Sequence, residues 1–258
     1  MKKCTYILLF LVMFLFFLPA ATLFFASFFD GNILKNSVAD ANFSFMQYAN
    51  VLKNESLLRN FRNSFLISFS VLMIQFPASV ILGYALSRFK GRFAIFIKCT
   101  LAVSLLLPFE SIMVPVFRLG KWLNLYDRQL SVILLETFSP VSFLFVSLLI
   151  SSVDADLINA ASLDTDSDFR IFTKIIFPLI LPGICVLTLL CFSESWNLTE
   201  PALILLPDER LRPASVAIND ISERSQASSY AASVLYSLPV VLVYLPLAST
   251  LLRKESII

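Results

Sequence analysis

The amino-acid sequence predicts an all-α membrane protein with six transmembrane helices and a helix-turn-helix segment between the fourth and the fifth. Hydrophobic residues make up 58% of the 258 positions, the chain holds 26 phenylalanines, and only 15% of its residues are charged. Several apolar stretches reach the ~20 residues with which an α-helix crosses a bilayer. One polar segment, residues 154–177, separates two long apolar stretches. We therefore predict a single transmembrane domain over residues 1–258.

The six predicted spans lie at about residues 6–29, 64–87, 95–117, 129–151, 175–206 and 230–252. The first follows Lys2 and Lys3 and is longer than the ~7–15-residue core of a cleaved signal peptide, although Pro19-Ala20-Ala21 keeps cleavage open as an alternative. The second contains Pro77 and Gly83, which membrane helices tolerate where neighbouring groups satisfy the backbone.

Basic residues orient the predicted spans. The cluster of Arg88, Lys90, Arg92 and Lys98 directly follows the second span, and basic residues close to helix ends favour the cytoplasmic side. The six-span arrangement divides the 20 Lys and Arg residues evenly between the two sides, so the total alone does not orient the chain. The position of the cluster predicts that the amino and carboxy termini both lie in the cytoplasm.

The polar segment predicts two short helices joined by a turn. Asp154 or Asp156 can cap a first helix that carries Leu157, Ala160 and Ala161 on one face. Asp164 or Thr165 can cap a second helix, in which Phe169, Phe172 and Ile176 recur at helical spacing. Small alanines let a partner backbone approach closely, and an apolar stripe between charged residues suits docking into a groove of a soluble protein.

A longer pattern runs through this segment. Asn159-Ala160-Ala161 and Asp164-Thr165-Asp166 are two residues apart, and Phe172, Ile175, Phe177-Pro178 and Pro182 follow. The pattern resembles the cytoplasmic coupling loop of the permease subunits of binding-protein-dependent ATP-binding cassette importers, which reads E-A-A, two residues, D-G-A, then Phe, Ile and Pro. Asn159 stands for the family's Glu, and Thr165 for its Gly. If the turn needs a left-handed backbone, a β-branched Thr165 costs about 1–2 kcal/mol.

The resemblance extends to a carbohydrate (maltose-transporter-like) group of these permeases. The run LLPFESIMVP is similar to that group, with Glu110 where the group usually has Gln, and SWN followed by Glu200-Pro201 is similar as well. The resemblance implies a bacterial inner-membrane subunit that carries half of a sugar pathway. Its implied partners are a second permease subunit, two cytoplasmic ATP-binding subunits, an extracytoplasmic solute-binding protein and membrane lipid. Because the given sequence stops without the longer carboxy-terminal tail common in that family, we expect residues 154–177 to be the sole evident docking element.

Composition excludes several other kinds of site. The sequence has no histidine, its four cysteines have no metal-ligand spacing, and no nucleotide-binding Gly-rich loop is present. A net charge of +2 gives no reason to expect nucleic acid. We therefore expect no metal, no cofactor, no nucleic-acid partner and no enzymatic activity, and if ATP drives the protein, another subunit binds it.

Four carboxylates lie within predicted spans: Glu110, Glu136, Glu194 and Glu200. Charged groups in a membrane usually face a bundle interior or an aqueous cavity. Glu194, Trp196, Asn197 and Glu200 crowd the end of the fifth span, where an indole face and polar groups can line a sugar pathway. The alternative is that they hold helices together, with Trp196 as an interfacial anchor.

Two other function classes stay open at this stage. A secondary transporter driven by ions would use the same glutamates, but it leaves the docking segment without a partner and no inverted repeat is detectable. A membrane-embedded enzyme would need paired carboxylates, whereas these four are scattered over three predicted spans.

Overall fold

The computed structural model describes residues 2–30, 42–89, 91–165, 167–224 and 226–255. Lys90 of the basic cluster and Asp166 of the polar segment lie outside the described residues. The described chain is almost entirely helical, which confirms the predicted all-α class. Its helices are α1 Lys2–Ala26, α2 Met46–Lys53, α3 Glu55–Arg88, α4 Arg92–Ser104, α5 Phe109–Trp122, α6 Gln129–Thr137, α7 Pro140–Ser151, α8 Ala155–Asp164, α9 Asp168–Ile171, α10 Phe177–Trp196, α11 Glu200–Leu205, α12 Ala214–Arg224 and α13 Gln226–Glu255.

Two strands of two residues each follow α1. Strand β1, Phe29–Asp30, pairs antiparallel with β2, Asn42–Phe43. The Ser27 hydroxyl shares a hydrogen bond of 2.6 Å with the Tyr48 hydroxyl of α2. These contacts tie the end of α1 to α2, whereas the apolar window of α1 has none of its described side chains buried within this chain.

Five helical stretches of the described chain are long and apolar enough to cross a membrane: Leu8–Ala26, Glu55–Arg88, Gln129–Ser151, Asp168–Trp196 and Ser228–Pro246. A sixth span results only if α4 and α5, which meet at an angle of 103°, count as one. The structure therefore differs from a continuous third span at 95–117. Pro108 causes the break, because proline lacks a backbone N–H and disfavours helical geometry in the residue before it.

The fourth span is also discontinuous. Helix α6 ends at Thr137 and α7 begins at Pro140, whose fixed φ suits the first position of a helix. The Ser139 hydroxyl accepts the backbone N–H of Ser142 at 3.3 Å and so caps α7.

The fifth span runs through three joined segments. It begins at Asp168 with α9, continues as a π-helix over Phe172–Ile176, and ends with α10 at Trp196. The predicted bounds of 175–206 differ at both ends. Pro178 explains the π-helix, since its ring would clash with the carbonyl of Lys174 in a regular α-helix and a wider turn relieves the clash. After Trp196 the chain turns at Asn197, and α11 is a separate short helix.

Helix α3 is the central element of the bundle. Its 34 residues extend about 51 Å and pack against α6, α7, α10 and α12. Gly83 allows the close contact with α7, because a Cβ atom at this position would lie 2.6 Å from the Val146 Cβ. The deepest core side chains around α3 include Ile67, Val71 and Val132.

Candidate functional site

The polar segment folds as two helices joined by a turn, but its caps differ in part from the prediction. Asp154 caps α8 by accepting the Asp156 N–H at 2.9 Å, as one of the two predicted alternatives. The cap of α9 is Ser167, which accepts the Arg170 N–H at 3.4 Å. The predicted caps of the second helix were wrong: Asp164 is the last residue of α8, and Thr165 follows it.

Thr165 has an extended backbone, with φ of −157° and ψ of 136°. Any residue adopts this conformation, so the replacement of the family's glycine by threonine carries no left-handed strain. The Thr165 hydroxyl accepts the Ser167 N–H at 3.3 Å and helps to hold the turn. The turn of this chain is thus built around an extended threonine.

The predicted apolar face of α8 is divided between two environments. Ala161 is 8% exposed and packs in a cluster with Ile150, Ile171 and Ile176. Asn159 and Ala160 are exposed, as is Leu157. The exposed apolar surface of the segment continues with Leu163 and Phe169, whose side chains are 88% and 77% exposed.

Phe172 connects the segment to the bundle. Its ring packs edge-on against Tyr84 of α3 at 5.2 Å between centroids, and it also contacts Phe177. An apolar groove of about 310 Å³ opens between α3 and α9, with Tyr84, Phe169 and Phe172 among its lining residues. The segment is therefore held by aromatic contacts on one side and exposes apolar side chains on the other.

The second predicted group surrounds the end of α10, and its members differ in exposure. Trp196 is 0% exposed. Its indole packs nearly parallel to Phe192 and Tyr236, with centroids 5.7 Å and 5.5 Å away, and edge-on to Phe65 at 4.8 Å. Its Nε1–H donates to the Tyr236 carbonyl at 3.1 Å, and the Tyr236 hydroxyl donates to the Trp196 carbonyl at 2.7 Å. Trp196 thus joins α10 to α13, and no ligand can stack on its ring in this conformation.

The three polar members of this group are exposed. Asn197 accepts the Tyr236 hydroxyl at 3.1 Å through Oδ1 and donates to the Ser193 carbonyl at 2.8 Å through Nδ2. Glu194 lies on α10 close enough to Glu136 of α6 for their carboxyl groups to interact electrostatically. Glu200 is set apart in the first turn of α11. Glu194 and Glu136 thus interact from different spans, whereas Glu200 belongs to a separate short helix.

Sequence reasoning missed a buried polar cluster beside these carboxylates. Gln75 of α3 donates through Nε2 to the Ser142 hydroxyl at 3.0 Å and to the Cys191 sulfur at 3.3 Å. The Ser142 hydroxyl in turn contacts Ser139 at the break of the fourth span, at 3.0 Å. The glutamine within the apolar second span was the signal for this cluster, since buried polar groups in membranes need partners. Among the described residues, no group of three or more Cys, Asp or Glu side chains is arranged to hold a metal ion.

Comparison with known proteins identifies similar chains. A family model described as "binding-protein-dependent transport system inner membrane component" matches residues 75–253, more than two thirds of the 258 residues. The arabinooligosaccharides transport system permease protein AraQ of Bacillus subtilis is 29% identical over 180 residues, 68% of this chain and 63% of that protein. The melibiose/raffinose/stachyose import permease protein MelC of the same species is 24% identical over 224 residues, 84% of this chain and 81% of that protein. This chain covers less than two thirds of the length of two AraQ proteins: 63% of the AraQ of Bacillus subtilis and 49% of the AraQ of Halalkalibacterium halodurans.

Solved structures share the fold. A chain of a bacterial ABC transporter involved in the import of the acidic polysaccharide alginate superposes with a TM-score of 0.81 at 20% identity, covering 96% of this chain and 95% of that one. A chain of a bacterial alginate ABC transporter in complex with an alginate pentasaccharide-bound periplasmic protein superposes with a TM-score of 0.72 at 16% identity, over 95% and 92% of the two chains. At this identity the likeness establishes the architecture alone.

Proposed function

The chain belongs to the family of binding-protein-dependent transport system inner membrane components, and from this premise we propose that it is the permease subunit of an ATP-driven sugar importer. In this proposal it forms half of the translocation pathway and couples to a separate ATPase through residues 154–177. The observation that carries the proposal is the polar segment itself, in which two short helices expose Leu163 and Phe169 and continue directly into the fifth span. A rigid connection of this kind can transmit movement of a docked partner to the bundle.

The partners follow from what the chain lacks and what it exposes. With no nucleotide-binding loop of its own, it requires two cytoplasmic ATP-binding subunits. Among the described residues the apolar window of α1 is unburied, which suits coverage by membrane lipid and a second permease subunit. An extracytoplasmic solute-binding protein would deliver the cargo, in keeping with the family's description and with the periplasmic protein of the alginate transporter complex.

Sugar is the proposed cargo because similar permeases carry arabinooligosaccharides and melibiose, raffinose or stachyose by their names. We assign the pathway to the exposed polar residues Glu194, Asn197 and Glu200, and add Glu136 as the partner of Glu194 across the bundle. Carboxylates accept hydrogen bonds from sugar hydroxyls, and an amide both donates and accepts. Trp196 has a supporting role in this proposal: its hydrogen bond and ring contacts with Tyr236 fix the end of α10 beside the pathway.

We propose the inner membrane as the location, with amino and carboxy termini in the cytoplasm. This orientation puts the polar segment on the side where ATP is available. The implied mechanism is alternating access: closure of the ATPase dimer moves α8 and α9, the bundle rocks, and a cavity between the two permeases opens to one side at a time.

The test is recovery of the tagged chain from its native membranes in mild detergent, followed by identification of the co-purifying proteins and an ATPase assay. We expect an ATP-binding cassette subunit, a second permease and ATP hydrolysis that rises with the solute-binding protein and its sugar. Repeated recovery of the chain alone under gentler extraction would overturn the proposal. That result would favour an ion-driven transporter or an enzyme that uses the intramembrane glutamates.

A further inference from the structure

A polar cavity of about 280 Å³ lies at the end of the molecule opposite to the polar segment. It is lined by α2, the first turns of α3, the connection before α12, and α12 itself. Helix α3 separates the two places, since Leu57 lines the cavity and Tyr84 contacts Phe172 at the other end. The cavity thus lies apart from the polar segment, and its lining includes none of Glu194, Trp196, Asn197 and Glu200.

Two polar side chains in this cavity have unused hydrogen-bonding capacity. Asn60 is 6% exposed, and within the part of the chain that the structure describes its amide has no hydrogen-bond partner. The Nε–H of Arg59 is buried and also lacks a partner there. Buried polar groups are nearly always paired, because an unpaired one loses the hydrogen bonds that water gave it. A ligand that both donates and accepts would satisfy these two groups.

The charges of the cavity indicate a neutral ligand. Its lining holds two cations, Arg59 and Arg212, and two anions, Glu209 and Asp220, so that the formal charges cancel. The Arg212 side chain is already engaged, because it donates to the carbonyls of Leu206 and Pro207 at 3.0 and 3.1 Å. The remaining donors and acceptors suit hydroxyl groups, each of which can donate one hydrogen bond and accept others.

We propose that this cavity is a binding site for a neutral, polyhydroxylated compound of about one sugar ring. Asn60 contacts two of its hydroxyl groups, the Arg59 guanidinium donates to a third oxygen, and Val51 and Leu57 contact its carbon face. The volume is just below the range of about 300–1,000 Å³ typical of small-molecule pockets, which suits a single ring better than an oligosaccharide. The inference deepens the proposed function and rests on it, because such a site would hold one unit of the cargo on the side where the cargo arrives.

The test measures weak binding by ligand-observed NMR, with the purified transporter complex in nanodiscs and no solute-binding protein. D-glucose and D-glucuronate serve as probes, because they share a ring and differ by a charge. Asn60→Leu removes the amide at nearly constant size, and Arg59→Gln removes the cation. Arg62→Gln is the matched control, since Arg62 is exposed one turn further along α3 and does not line the cavity.

We expect glucose to bind more tightly than glucuronate, and Asn60→Leu to weaken glucose binding about tenfold through the loss of two hydrogen bonds. Arg59→Gln should weaken it as well, whereas Arg62→Gln should bind like the wild type.

Equal glucose binding in the wild type and Asn60→Leu, or tighter binding of glucuronate, would overturn the inference. A third result would overturn it as well: no glucose binding to the complex by NMR, together with a loss of affinity for the solute-binding protein in the Asn60→Leu variant. The cavity would then hold a side chain of the binding protein. A chain without ATPase partners that still binds glucose through Asn60 would refute only the importer assignment.

Discussion

Ala160 and Ala161 are neighbours in α8 with opposite surroundings. Ala160 is exposed, whereas Ala161 contacts the isoleucines that hold the polar segment against the bundle. A substitution at the first position therefore tests docking, and the same substitution at the second tests folding.

We expect Ala160→Glu to abolish co-purification of the ATPase while the thermal unfolding of the chain stays unchanged. Ala161→Glu should instead lower the free energy of unfolding by about 2 kcal/mol or more, because it buries a charge without a partner. Thermal unfolding in detergent and ATPase recovery measure the two effects separately. Full ATPase recovery with Ala160→Glu would contradict the docking role of the exposed face.

The Thr165 hydroxyl stabilises the turn between α8 and α9. We therefore expect glycine at this position to give a less stable turn than threonine, even though the family has glycine there. Thr165→Gly should lower the stability of the turn by about 1 kcal/mol, because it removes the hydrogen bond to Ser167 and frees the backbone. Thr165→Val keeps the branched shape and isolates the hydrogen bond. Hydrogen exchange of the turn amides measures both variants, and slower exchange in Thr165→Gly than in the wild type would refute the expectation.

Trp196 and Glu194 lie on the same helix, and we expect substitution of Trp196 to affect stability and substitution of Glu194 to affect transport. Trp196→Phe should lower the unfolding temperature with little change in the KM for transport, since it leaves the Tyr236 carbonyl without its donor. Glu194→Gln should leave stability nearly unchanged and alter the KM. Reconstituted transport and thermal unfolding, measured side by side, decide between the roles; a raised KM with normal stability in Trp196→Phe would make the indole part of the pathway.

At the scale of elements, α3 and α7 are in close contact at Gly83. Gly83→Ala should destabilise the bundle by about 1–3 kcal/mol, because the new methyl group would meet the stiff Val146 side chain at 2.6 Å and the Ser147 nitrogen at 3.1 Å. Gly120→Ala is the matched control, since its nearest neighbour, a Leu205 methyl group, would be at 3.5 Å. Chemical unfolding in detergent measures both, and equal stability of the two variants would contradict this packing.

The breaks between elements were only partly predictable. Prolines mark where the helices of the third and fourth spans divide, yet hydropathy averages over them and shows one span in each place. The end of α10 at Trp196 could not be predicted from hydropathy, because residues 202–206 continue the apolar run beyond it. The π-helix depends on Pro178 acting one turn earlier in the chain, an effect that no hydropathy pattern contains.

At the scale of the whole molecule, composition was sufficient for the all-α membrane class, and the motif around Ala160 was sufficient for the family. The roles of individual residues required tertiary contacts. Trp196 is buried because Tyr236, forty positions later, returns to it, and Asn60 lines a cavity that α12 completes. Sequence motifs were sufficient to predict the candidate site residues. Which of these residues can contact a ligand depends on burial by helices that are distant in the sequence.

The length of α3 has a mechanical consequence. Its first turns line the polar cavity and its last turns carry Tyr84, which contacts Phe172 beside the polar segment. For a rod of about 51 Å, a tilt of about 5° around its middle displaces each end by about 2 Å in opposite directions. That displacement is enough to break or form hydrogen bonds at Asn60 while the Tyr84 ring stays in contact with a moving Phe172. The tilt of α3 that the polar segment imposes at one end would thus set the width of the polar cavity at the other end.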